Sequence, residues 1–138
     1  MNRGLPMREN TIQHRVRYDE CDPMGFVHHS VYLQYFEMGR TELLRASGGR
    51  YRDMEDEGLL VVVARVDCRY KSPARYDDLI DIHTRIAEVT IGKIIHEYTI
   101  SLESRTLVTA TVTLAVINRE GRIQRVPQSL LDRYGTVA

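Results

Sequence analysis

Ser30–Ser47 reads SVYLQYFEMGRTELLRAS, and this stretch decides the fold. Tyr32, Tyr35, Phe36, Gly39, Leu43 and Ala46 recur at spacings of three and four, the signature of one buried helix face. Ser30 stands as the N-cap, and Gly48-Gly49 supplies the stop, because glycine enters the left-handed conformation without a steric penalty. Gly39 falls inside the apolar stripe, where it costs about 1 kcal/mol against alanine. A glycine at that place predicts that the helix approaches a sheet closely.

On both sides of the helix the period changes to two. Upstream, Thr11–Tyr18 alternates, with Ile12, Val16 and Tyr18 on one side and Gln13, Arg15 and Arg17 on the other. Asp19–Gly25 is rich in turn formers and reads as a loop. Downstream lies the polar stretch Tyr51–Gly58, after which the period is two. Leu59–Lys71 opens as an apolar run and then alternates, with Ala64, Val66, Cys68 and Tyr70 facing one way. Ser72-Pro73-Ala74 interrupts it. Leu79–Glu88 alternates through Ile80, Ile82, Thr84 and Ile86, and Gly92 marks a hairpin. Lys93–Ser104 puts Ile94, His96, Tyr98, Ile100 and Leu102 on one face. Leu107–Ile117 does the same with Val108, Ala110, Val112, Leu114 and Val116. Asn118–Arg122 is a turn region, and Pro127–Tyr134 suits a short terminal helix. Short loops between the last strands imply antiparallel pairing. The expectation is one α+β domain over residues 1–138: a curved antiparallel five-stranded sheet with one long helix against a face.

The 138 residues leave room for a single domain and allow a core without staples. Lys plus Arg and Asp plus Glu number 19 each, so the basic excess of a dedicated nucleic-acid binder is missing. Two cysteines, Cys21 and Cys68, are too few for a disulfide framework, and no C-x-x-C pair suggests zinc. Met1–Asn10 reads as a polar arm rather than a signal peptide. The longest apolar run, Leu59–Ala64, is far too short to span a bilayer. A cytoplasmic setting without membrane insertion is the default expectation.

Chemistry-bearing residues concentrate in Tyr18-Asp19-Glu20-Cys21-Asp22-Pro23-Met24-Gly25-Phe26-Val27-His28-His29-Ser30. A carboxylate-rich loop runs into a helix N-terminus, which offers unpaired N–H groups and partial positive charge. Two histidines sit at the junction. Donors aimed at one point beside a carboxylate are what acyl transfer requires. The same Asp22-Pro23-Met24-Gly25 also suits a plain turn. Cys21, Asp22, His28 and His29 are too close together in sequence to converge readily on one ion, so no metal is expected.

Tyr18, Asp22, Gly25, Val27, His29, Tyr32, Phe36, Glu37 and Arg40 together resemble the signature of hotdog-fold thioesterases of the 4-hydroxybenzoyl-CoA thioesterase type. The likeness is greatest to the bacterial acyl-CoA thioesterase branch associated with the Tol–Pal system. Tyr70-Lys71-Ser72-Pro73-Ala74-Arg75-Tyr76-Asp77-Asp78 resembles that family's segment between two central strands. Met24 stands where relatives commonly have a small residue, and His28 adds a second histidine beside His29.

The resemblance implies a hotdog fold, in which the sheet wraps the helix, and hydrolysis of an acyl-CoA to a free acid and coenzyme A. Asp22 matches the catalytic carboxylate, acting as nucleophile or as general base. Tyr18 and His29 match positions near the acyl group, with the His29 N–H as oxyanion donor. Gly25 and Val27 belong to the substrate-binding loop. Lys71 and Arg75, with Arg50 and Arg52 behind them, are candidate cations for the phosphates of coenzyme A. Glu37 and Arg40 suit a supporting ion pair at i,i+3 spacing. No cofactor is implied beyond the coenzyme A of the substrate. Assembly as a homodimer or homotetramer is implied, with active sites at the interface and partner residues near Ala64–Arg69 lining the acyl pocket. An acyl-carrier-protein thioesterase and a non-catalytic acyl-binding protein are the competing readings.

Overall fold

The structure, a computed structural model, describes residues 7–135. Strand β1 (Glu9–Arg15) leads through a 3-10 turn at Tyr18–Glu20 to helix α1 (Val31–Ala46), then to helix α2 (Tyr51–Asp56). Strands β2 (Leu60–Tyr70), β3 (Leu79–Val89), β4 (Ile94–Leu102), β5 (Arg105–Ile117) and β6 (Ile123–Gln124) follow, and helix α3 (Gln128–Tyr134) closes the order. The sheet runs β1-β3-β4-β5-β2, all antiparallel, as the short connections require. Strand β6 pairs with β5 and makes the sheet six-stranded, one more than expected. No helix among the described residues is long and apolar enough to cross a membrane.

Helix α1 turns Tyr32, Tyr35, Phe36, Gly39, Leu43 and Leu44 inward, close to the face read from spacing. It lies against β1 and β3. A Cβ on Gly39 would stand 2.3 Å from Thr84 Oγ1 and 3.1 Å from Ile82 Cγ2, so the glycine sits where helix and sheet touch. The inward rows of β3, β4 and β5 alternate, except at the bulge between Ile86 and Glu88 in β3 and at the adjacent buried pair Leu107 and Val108 in β5, with Ile80, Ile82, Ile100 and Leu114 among the wholly buried side chains. The N-cap is Ser30, but its hydroxyl caps no helical N–H and instead meets His28 Nδ1 at 2.8 Å.

Four expectations need correction. Residues 1–6 of the expected polar arm lie outside the described residues, and Glu9 and Asn10 belong to β1, paired with Arg85 and Thr84. Tyr18 does not continue the inward row of β1. The Glu20 carboxylate receives the Arg17 N–H at 2.7 Å, and this local bond pulls the chain into the 3-10 turn, leaving Tyr18 80% exposed. Strand β2 carries a bulge between Val63 and Arg65, so Ala64 leaves the inward row. Val61 and Val63 then share a face with Val116 and Leu114, and Val66, Cys68 and Tyr70 with Val112, Ala110 and Val108. Tyr51–Gly58, read only as a polar stretch, contains the six-residue helix α2, anchored by the buried Met54.

The inward face of β2 beyond the bulge is nevertheless open: Val66 is 39% and Tyr70 49% exposed. Helix α1 covers the β1–β3 side and leaves this edge uncovered. The N-terminus of α1 and the end of β2 therefore face each other across a gap.

Candidate active site

Asp22 is held by its own loop. Its Oδ1 accepts the N–H of Met24 at 2.9 Å and that of Phe26 at 3.2 Å, while its main chain exchanges bonds with Phe26 and Gly25. The turn closes because Gly25 adopts φ +84°, a conformation that L side chains rarely take. The motif is a turn, as one of its two sequence readings expects, and the turn fixes the orientation of the Asp22 carboxylate. Among the described residues Oδ2 has no hydrogen-bond partner. Isolated pairings of Cys21 with Val27 and of Phe26 with Arg75 fix the loop's base and flank.

The entry to α1 supplies a donor. His28 N–H bonds the Glu20 carbonyl at 2.9 Å, Ser30 N–H the His28 Nδ1 at 3.2 Å, and Val31 N–H the His28 carbonyl at 2.9 Å. Between them, the His29 N–H has no acceptor among the described residues. The His28 and His29 rings stack at 4.3 Å. From across the gap, the Tyr70 hydroxyl donates to the His29 carbonyl at 3.0 Å. Burial, then the neighbouring Cys68, pushes the Tyr70 phenol up to about 12, so it stays a donor at neutral pH.

These parts enclose a cleft of about 360 Å³ lined by Asp22, Met24, Phe26, Val27, His29, Tyr32, Tyr70, Lys71, Ser72 and Pro73. Of the residues singled out from sequence, Asp22, Val27, His29 and Lys71 come together here. Gly25 shapes the loop without lining the cleft. Tyr18 lies outside it, edge-on to Tyr76 at 5.2 Å. Arg75 sits over the Phe26 ring, 5.4 Å from its centroid. Arg50 pairs with Asp53 at 2.9 Å, and Arg52 is exposed on α2. Glu37 and Arg40 line a different groove with Tyr51 and Glu55, and Arg40 faces the Tyr98 hydroxyl rather than closing an ion pair with Glu37.

Tyr32 and Tyr70 line the cleft but were not singled out as site residues. Tyr32 belongs to the apolar stripe of α1, where its hydroxyl accepts the Ala74 N–H at 3.2 Å. A tyrosine in such a stripe, with a hydroxyl that needs a partner, was the available signal. The two cysteines are unpaired. Burial first, then the charges of Asp22, Glu20, Asp19 and Asp78, raise the Cys21 thiol above its ordinary value and make it a poor nucleophile. Among the described residues no three His, Cys, Asp or Glu side chains are grouped to hold a metal ion.

Residues 16–134 match the profile of the thioesterase-like superfamily. An acyl-CoA thioesterase of Haemophilus influenzae is 33% identical over 105 residues, covering 75% of this chain and 77% of that protein. An acyl-CoA thioester hydrolase of Escherichia coli is 30% identical over 102 residues, covering 74% and 76%. A crystal structure described as a probable thioesterase from Bartonella henselae superposes with a TM-score of 0.83 at 36% identity, over 86% of this chain and 99% of that one.

Proposed function

This chain belongs to the thioesterase-like superfamily, and from that premise we propose that it hydrolyses acyl-CoA thioesters at the Asp22–His29 cleft. Relatives named acyl-CoA thioesterase or thioester hydrolase make it a thioester hydrolase. The observation that carries the site assignment is the meeting of a carboxylate and an unclaimed N–H in one cleft.

The thioester carbonyl oxygen docks at the His29 N–H, where developing negative charge is stabilised next to the partial positive end of α1. Asp22 Oδ2 attacks the carbonyl carbon, or takes a proton from the water that does. The C–S bond breaks and the electron pair leaves as the thiolate of coenzyme A, a stable leaving group that needs little acid help. Water supplies the oxygen of the free acid and the proton of the thiol. The reaction calls for no separate cofactor. Met24, Phe26, Val27 and Tyr32 give the acyl chain an apolar wall. Lys71 at the rim is the cation for the phosphates, since Arg75 and Arg50 are held elsewhere. The Tyr18–Arg40 motif supports placement with the Tol–Pal-associated bacterial branch. The unpaired cysteines suit a reducing, cytoplasmic compartment. The open β2 edge suits pairing with a second copy of the chain, as a dimer or a pair of dimers.

The test is thiol release from a panel of short, long and aromatic acyl-CoAs and an acyl-carrier protein, with wild type and Asp22→Asn side by side. Loss of at least about a hundredfold in turnover is expected for a folded Asp22→Asn protein. Wild-type turnover in that variant would reject the assignment. Release from the carrier protein alone would change the substrate class.

A further inference from the structure

Glu20 lies two residues before Asp22 and does not line the cleft. Its Oε1 accepts the Arg17 N–H at 2.7 Å and the Tyr35 hydroxyl at 3.0 Å. His14 Nε2 stands 3.0 Å from Oε1 and 3.2 Å from Oε2. The same residue's carbonyl accepts the His28 N–H at 2.9 Å. One side chain thus joins β1 through His14 and α1 through Tyr35, while its main chain holds the entry to α1. The pair is well covered, with side-chain exposures of 10% for His14 and 15% for Glu20.

The position of this knot matters more than its strength. The segment that carries Asp22 begins at Cys21 and returns at Val27, and these two residues pair with each other. Directly outside that pairing, Glu20 bonds His28. The carboxylate of Asp22 and the N–H of His29 therefore extend from opposite ends of a short closed loop whose neck is Glu20. A tilt of the 3-10 turn would move one relative to the other. Tyr35 is wholly buried and cannot follow such a tilt, and its ring lies 5.0 Å from that of His14.

We infer that Glu20, braced by His14 and Tyr35, is a positioning residue that sets the separation of the Asp22 carboxylate and the His29 amide. This inference rests on the catalytic reading of that cleft. A carboxylate here accepts the Arg17 N–H and the Tyr35 hydroxyl and takes the His14 Nε2–H as well, whereas the amide of glutamine is uncharged and turns one of its two positions into a donor, so that His14 must change tautomer to stay bonded. Glu20→Gln keeps the volume and weakens the bonds that the charge strengthens. Because Glu20 touches no substrate, the loss falls on the chemical step, not on coenzyme A binding.

The experiment compares wild type, Glu20→Gln, Glu20→Asp, Tyr35→Phe and Asp22→Asn, each checked for folding, by steady-state kinetics on the best acyl-CoA and by amide hydrogen exchange. For Glu20→Gln, kcat should fall about ten- to a hundredfold with KM within about twofold. Tyr35→Phe should show a smaller fall of the same kind, a double variant that combines Glu20→Gln with Tyr35→Phe should lose no more than Glu20→Gln alone, and Glu20→Asp, which keeps the charge, should lose less than Glu20→Gln. Exchange at Met24, Phe26 and His28 should speed up in Glu20→Gln. If Asp22→Asn loses turnover while Glu20→Gln keeps wild-type kcat, the positioning role is wrong and the cleft stands. If Asp22→Asn keeps turnover, the cleft reading fails, and unchanged exchange at those three amides in Glu20→Gln would overturn the clamp independently.

Discussion

At position 22, turn formation and the proposed catalysis ask for the same side chain. Asp22 closes its loop with one carboxylate oxygen, and the other has no hydrogen-bond partner among the described residues. His96 shows the opposite case, a titratable side chain with no evident use. It is wholly buried on β4, and neither ring nitrogen has a partner among the described residues. Burial, with a smaller push from Arg40, lowers its pKa to about 3. The unfolded chain takes up this proton near pH 6.5 and the folded protein does not. Stability is therefore fully present above that pH and declines as pH falls toward 3, with a limiting slope of about 1.4 kcal/mol per unit. His96→Phe should remove that slope. Urea unfolding at pH 7 and pH 5 checks it: wild type should lose about 2 kcal/mol more than the variant between these conditions. Equal losses in both proteins would show that another group sets the acid limit.

Among the elements, α1 and β3 meet most closely at Gly39. The Cβ of an alanine there would collide with Thr84 Oγ1, a buried hydroxyl that has no partner of its own among the described residues. Gly39→Ala should destabilise by about 2 kcal/mol or more, despite the better helix propensity of alanine. Thr84→Ala removes the obstructing atom, so the double variant should recover most of the loss, a coupling that thermal melts would reveal. Additive losses would place the conflict elsewhere. The glycine within the apolar stripe announced this contact in advance. Helix α2 and strand β6 gave no such notice. Six residues at one and two residues at the other are too short to display a period, and their pairing depends on where β2 and β5 already lie.

For the whole molecule the telling feature is β2, an edge strand with its side chains left uncovered on both faces along most of its length. Val63, Val66 and Tyr70 are exposed on the inward face, and Tyr70 lines the cleft. An open edge of this kind invites pairing, and a second copy of the chain would cover the apolar row and complete a wall of the proposed acyl site. Val66→Asp should leave the subunit folded, because the residue is already exposed, while lowering the mass seen by sedimentation and reducing turnover. An unchanged mass, whether monomeric or assembled in both proteins, would remove β2 as the pairing surface.

By itself, the sequence determined the α+β class, the helix from Val31 to Ala46, the inward rows of three strands and the loop bearing Asp22. Each of these depends on local matters: a period of 3.6 or 2.0, a capping serine, or turn chemistry within a few residues. Only the tertiary structure decided that Tyr18 points away from the cleft, that Ala64 drops out of the β2 row, and that Lys71 reaches the rim while Arg75 rests on Phe26. Those outcomes depend on contacts between distant segments. A bulge shifts the register of a strand against its partner, and one partly buried carboxylate can redirect the chain that precedes it. Arginines and lysines on the surface look alike in sequence, because what distinguishes them is the neighbour that folding brings to each.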